Sequence, residues 1–365
     1  MINTLGPEPF ALSLSKGENA AFFRKLKGAL PMYMRPAEWL AIAQHEYLQS
    51  FIRGGGAAVK FLVPTEEINH GGLKQGLRSA AEAEGYQFVW VDAATTRVHM
   101  IDHWFHEIAQ QIDWDDLSFS FVSRLLAEQG LILPAQRYEF TVQKLAALNN
   151  RDEQLLRQEL YALPEKRLMQ DYRMSQEFRL AMIRLCQAQL GTEGMSPVPA
   201  DVIKEWLCGR LRRLVELKQA LIFQKVARDN ARYLLASLAY WLHLTGKSGL
   251  VLALDITRCL TPRPKPKDLQ DDSRYYTQAM VLDTYEVLRQ CIDATDELEF
   301  CFTVVIAPPS FLQPDERRGV YGYDALRMRI WDEVYDKQRV NPFSTLIRLS
   351  SSPESSGMPA RESTL

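Results

Sequence analysis

The sequence predicts an α/β protein: a parallel five-stranded sheet with a large helical insertion. Three observations lead there. Short apolar runs recur near residues 57–63 (AAVKFLV), 88–92, 250–255 (LVLALD), 301–306 (CFTVVI) and 344–349. They are continuous rather than alternating, as strands covered on both faces must be. Helical periodicity separates them, which favours parallel pairing through crossovers. Between the second and third runs, residues 100–245 read as almost entirely helical.

Taken in order, residues 1–16 are irregular, and residues 18–29 and 36–53 carry helical periodicity, with Pro36 suited to a first helical turn. Gly54, Gly55 and Gly56 end that helix and lead into the first strand. A helix over about 71–84 stops at Gly85. Breaks in the helical stretch are expected near Gly130, Asn149, Pro164 and residues 191–199. After the third strand, three prolines make 261–268 an extended basic loop. Helices over about 273–294 and 322–337 flank the fourth strand and precede the fifth, and 351–365 has the composition of a disordered tail. The expected organisation is an N-terminal helical segment (1–56), a first part of the α/β core (57–99), the insertion (100–245), a second part of the core (246–350) and the tail.

The first strand, its loop and the following helix have the frame of a P-loop NTPase. A working loop reads G-x-x-x-x-G-K-[ST]: backbone N–H groups cradle phosphates, Lys neutralises them and Ser/Thr holds Mg²⁺. Here Pro64 and Asn69 stand at the glycine positions, His70 at the lysine and Gly71 at the hydroxyl position. Glu66 and Glu67 lie where polyphosphate would sit. The frame is present and its chemistry is not.

Composition is that of an ordinary soluble globular chain: 47% hydrophobic, 24% charged, net charge −2. No global field favours nucleic acid, so any such contact would be a local patch. Five cysteines without a C-x-x-C pair read as reduced thiols of a cytoplasmic protein. Neither a signal peptide nor a membrane span is expected.

Asp255, at the end of the third apolar run, matches the acid that holds Mg²⁺ in a P-loop NTPase. The next residue, a catalytic Glu in hydrolysing enzymes, is Ile256. An acid at a strand end is also a common loop cap. The triplet Gly246-Lys247-Ser248 follows a helix instead of a strand, so it reads as a helix cap and turn. His99, His103 and His106 would share one face of a helix, but no metalloenzyme signature accompanies them, and a partly buried helix start is the default. Lys204, Arg210, Arg212, Arg213 and Lys218 would lie on one helical stretch, and Arg263, Lys265 and Lys267 form a basic arm. Arg212, Arg213 and the arm are the nucleic-acid candidates, against the plain alternative of a solvated surface. Arg317, Arg318 and Arg329 could reach a neighbour's phosphate or carboxylate, or pair within the chain with Asp315, Glu316 and Asp324.

Segments 52–63 (IRGGGAAVKFLV), 249–255 (GLVLALD), 307–312 (APPSFL) and 316–329 (ERRGVYGYDALRMR) resemble the ATP-binding proteins of bacteriophage-exclusion (BREX) systems, of the BrxD-like, broadly AAA+-like type. Order and spacing agree from about residue 18 to 350. In that family the first segment leads into a complete phosphate loop and the second ends Asp-Glu; this chain departs at both. Asp255, Arg317, Arg318 and Arg329 match. The resemblance implies a bacterial anti-phage defence protein that works with other defence-system proteins, such as a helicase, methyltransferase or ATPase. The leading expectation is a pseudo-ATPase scaffold or regulatory subunit, with no cofactor, in a homo- or hetero-oligomer. Alternatives are an active ATPase whose unorthodox site uses His70, Lys74, ATP and Mg²⁺, and a DNA-binding adaptor.

Overall fold

A computed structural model describes residues 33–190, 198–261, 274–314, 317–331 and 341–351. Five strands form one sheet: β1 (Ala57–Pro64), β2 (Gln87–Asp92), β3 (Leu250–Asp255), β4 (Cys301–Ile306) and β5 (Leu346–Leu349). Their order is β2-β3-β4-β1-β5 and every pairing is parallel. All five carboxyl ends therefore lie along one edge. In register, Asp92 pairs with Asp255, and Asp255 with Ile306.

Strand alternation divides the core into two layers. Leu62, Phe302, Val304, Val251 and Ala253 face a cluster with Trp39, Leu48, Leu73 and Leu77. That layer comes from α1 (Pro36–Ile42), its π-helical continuation Ala43–Phe51, and α2 (His70–Ala83). The opposite faces, with Phe61, Val63, Val91, Leu252 and Val305, join a larger cluster. It includes Phe105 of α3 (Ile101–Gln110), Phe121 of α4 (Trp114–Glu128), Leu145 of α5 (Val142–Leu148) and Leu160 of α6 (Glu153–Leu168). It continues through Phe178 of α7 (Gln176–Gln189), Trp206 of α8 (Ala200–Leu207) and Leu238 of α9 (Ala231–Leu244). After β3 come the short α10 (Thr257–Leu260), α11 (Gln278–Asp293) and α12 (Asp324–Ile330). Sheet and helical insertion thus share one continuous apolar interior.

Local signals account for most boundaries. Asn69, Asp113, Thr141, Asp152, Ser175 and Thr277 each cap a helix N-terminus through a side-chain oxygen. Gly85 and Gly246 take positive φ, +77° and +99°, at helix ends. Gly249 is sterically required: at its φ of +140° a Cβ would lie 2.2 Å from the Phe300 carbonyl oxygen. The described cysteines are free, and only Cys208 is not buried.

Four expectations are corrected. Pro164 does not break the chain but sits buried inside α6, where its packing compensates the one lost backbone bond. His99 precedes α3, so it does not share a helix face with His103 and His106. The basic stretch is not one helix: α8 ends at Leu207, Gly209 turns at φ +69°, and a 3-10 helix (Leu214–Ala220) follows. Lys204 is drawn away from it into a 2.5 Å ion pair with Asp115. Helix 273–294 begins only at Gln278, behind its Thr277 cap. Expectations for residues 1–32, 191–197, 262–273, 332–340 and 352–365 lie outside the described residues.

Candidate functional site

The site is built at the carboxyl edge of the sheet, where open parallel sheets form their ligand crevices. β1 delivers Pro64 and the loop to α2. Asn69 is the N-cap of α2; its Oδ1 accepts from Gly71 N at 2.8 Å and, more weakly, from Gly72 N at 3.4 Å. These are the orphan donors that a helix start otherwise offers to a phosphate.

His70, the first residue of α2, reaches across to the end of β3. Its Nδ1 lies 3.5 Å from Asp255 Oδ2. Asp255 is buried (8% exposed), and its Oδ1 also accepts from Thr257 N at 2.9 Å. The Asp255 carboxylate, with a smaller contribution from Asp92, holds His70 above its ordinary value. Burial pushes Asp255 up, but bonds from His70 and Thr257 outweigh it and leave the carboxyl below its ordinary range. Each side chain thus shifts the other toward its charged form. Asp92 Oδ1 is taken by Ala94 N at 2.8 Å.

The surrounding groups are similarly occupied. Ile256 is fully buried, and its N–H donates to Ile306. Lys74 lies with its Nζ 4.7 Å from the Trp90 ring centroid. Glu67 accepts from Ser351 at 2.9 Å, and Glu66 is exposed.

The geometry does not fit nucleotide and Mg²⁺. Asn69 takes the Gly71 and Gly72 donors, His70 stands at the lysine position, and the Asp255 carboxylate already faces that histidine. Among the described residues, no group of three or more His, Cys, Asp or Glu could hold a metal ion. Burial lowers the titration of His99, His103 and His106, in keeping with packed side chains.

Arg318 lies close behind the site. It donates to the Cys259 and Thr261 carbonyls, both at 3.1 Å, and to the Tyr275 hydroxyl at 2.7 Å. It thereby fixes the turn after β3 against the entry to α11. Arg329 pairs with Asp293 of α11 at 2.5 Å. Arg317 is exposed and makes no hydrogen bond or ion pair among the described residues. Arg212 and Arg213 are exposed on the segment after α8. Arg263, Lys265 and Lys267 lie outside the described residues, as do Asp315 and Glu316.

The His70–Asp255 pair was missed by sequence reasoning, which placed both residues in the remnant site without linking them. The signal was a cation-capable residue at the lysine position paired with a retained acid at the end of the third strand. Among the described residues, no helix is long and apolar enough to cross a membrane.

Comparison with known proteins gives one family. The profile described as BREX system ATP-binding protein BrxC/D matches residues 135–356. The matched span contains Asp255, Arg318 and Arg329, and begins after the first loop. No curated protein and no solved structure matches. With more than half of its length matched, the chain belongs to the BREX system ATP-binding protein BrxC/D family.

Proposed function

We propose that this chain is a degenerate P-loop protein of the AAA+-like kind, serving as a pseudo-ATPase scaffold or regulatory subunit of a BREX defence complex with other defence-system proteins. The observation that carries the reading is the self-occupied site: Asn69 caps α2 at Gly71 and Gly72, and His70 lies against Asp255. The sheet order β5-β1-β4-β3-β2 supports it, because the loop after β1 and the acid ending β3 flank the end of β4, with His70 and Asp255 in contact. Family membership supports the defence role.

P-loop chemistry depends on neutralising phosphate charge with Lys and Mg²⁺. Here a bound polyphosphate would have to displace Asn69, break the His70–Asp255 pair and meet Glu66 and Glu67. The test is calorimetry of the purified chain with ATP and Mg²⁺. No heat of binding at millimolar nucleotide is expected. Micromolar binding would overturn the reading and make His70, Lys74 and Asp255 the residues to mutate.

A further inference from the structure

Residues 210–225 form a ridge whose inner and outer sides differ in character. Inward, Leu217, Ala220 and Ile222 are fully buried. Trp206 Nε1 donates to the Gln224 carbonyl at 3.0 Å, and the Asn230 amide donates to the Lys225 carbonyl at 2.9 Å. The ridge is therefore anchored along its length. Leu221 is held at φ +62°, a conformation costly for a branched side chain, and is half exposed.

Outward stand Arg210, Arg212, Arg213, Lys218 and Lys225, all exposed. None makes an ion pair among the described residues, and Glu216 is the only acid within 210–225. In a chain of net charge −2 this is a strong local concentration of positive charge. Between these cations project Val215 (67% exposed) and Phe223 (60% exposed). Together with Leu221 they give this basic stretch exposed apolar surface beside its charges.

We propose that this ridge binds the phosphate backbone of duplex DNA without sequence preference. Three of the five cations are guanidiniums, whose planar forks match phosphate oxygens in pairs. The Phe223 ring supplies a flat apolar face for sugar or base edges, as apolar side chains do beside phosphate contacts. An acidic membrane surface is the poorer occupant. Membrane-surface segments present one continuous apolar helix face, whereas here the apolar side chains alternate with cations along a 3-10 helix and its flanking turns, whose own apolar side is already buried. The inference does not depend on the state of the nucleotide site.

The test is fluorescence anisotropy of the full chain with a mixed-sequence duplex over a range of salt. With five phosphate contacts, log K should fall against log salt with a slope of about −4.5, roughly a 500-fold loss between about 50 and 200 mM salt. Arg212→Gln with Arg213→Gln should flatten that slope by about 2 units, while Phe223→Ala should weaken binding and leave the slope unchanged. Both variants alter exposed side chains, and unchanged thermal melts establish that they are folded. The proposal is overturned by an absence of duplex binding at low salt, by a double variant that keeps the wild-type slope, or by phosphatidylserine vesicles capturing the chain through these arginines when duplex does not.

Discussion

The His70–Asp255 pair makes the stability of this protein depend on pH in a defined direction. His70 is held above its ordinary value, so its contribution is complete below about pH 6.5 and is lost as pH rises through the raised folded-state value. Asp255 is held below its ordinary value, so its contribution is present above about pH 3.9 and is lost on acidification. At 3.5 Å, Coulomb attraction is about 1 kcal/mol in water and about 5 kcal/mol at an effective dielectric near 20. The His70 side chain is 37% exposed against 11% for Asp255, and ordering a half-open pair offsets part of the gain, so about 1 kcal/mol is the expected net value. Urea denaturation at intervals from about pH 6 to about pH 9 should show wild-type stability falling by that amount relative to His70→Gln. The variant is a necessary reference. His99, His103, His106 and His243 are lowered by burial and contribute in the opposite sense. Parallel curves for wild type and His70→Gln would refute the ion pair.

Four further outcomes are expected. Asn69→Ala should cost about 1 kcal/mol by removing the α2 cap. A Cβ at Gly71 would lie 3.1 Å from Asn69 Oδ1, so Gly71→Thr should be less harmful beside Asn69→Ala than alone, by roughly 0.5–1 kcal/mol in a double-mutant cycle; additive values would remove the steric link. Gly249→Ala, which would drive a methyl group into the Phe300 carbonyl, should cost about 3 kcal/mol in chemical denaturation or abolish folded yield. Arg318→Ala should cost about 2 kcal/mol by stranding carbonyl partners, whereas Arg317→Ala should stay within about 0.5 kcal/mol; equal costs would contradict their different settings.

The sheet was legible because parallel strands covered on both faces read as unbroken apolar runs, whereas a helix start marked by a single cap residue, such as Thr277, was not read. The strand order was not legible, since periodicity reports an element's burial and not its neighbour. For the same reason the remnant site could be named residue by residue but not assembled. His70 opens the helix after β1 and Asp255 ends β3, strands separated by β4 in the sheet, and only the crossover topology brings the two residues together. The histidine and basic clusters failed at helix boundaries. A spacing of four and three holds only within one helix, and Met100 and Gly209 each fall where the chain is not helical. Pro164 failed in the other direction, since burial outweighed propensity.

A phosphate loop that loses its glycines and lysine leaves two physical liabilities behind. On the proposed reading, the helix start would keep unpaired N–H groups, and the strand end a buried carboxylate without a cation facing it. In this chain Asn69 takes the Gly71 and Gly72 donors, and His70 with Thr257 meets the Asp255 carboxylate. Under the proposed reading, a ligand entering this site would have to replace these contacts. Under the proposed scaffold role, what remains open to partners is the exposed surface: Arg317 beside the clamped Arg318, and the basic ridge after α8. Neutralising Arg317 should therefore weaken association with partner defence proteins while leaving the melting curve in place, whereas Arg318→Ala should lower both together. If Arg317→Ala retains full partner binding in a pull-down with the co-expressed defence proteins, the exposed arginine is not part of the assembly surface.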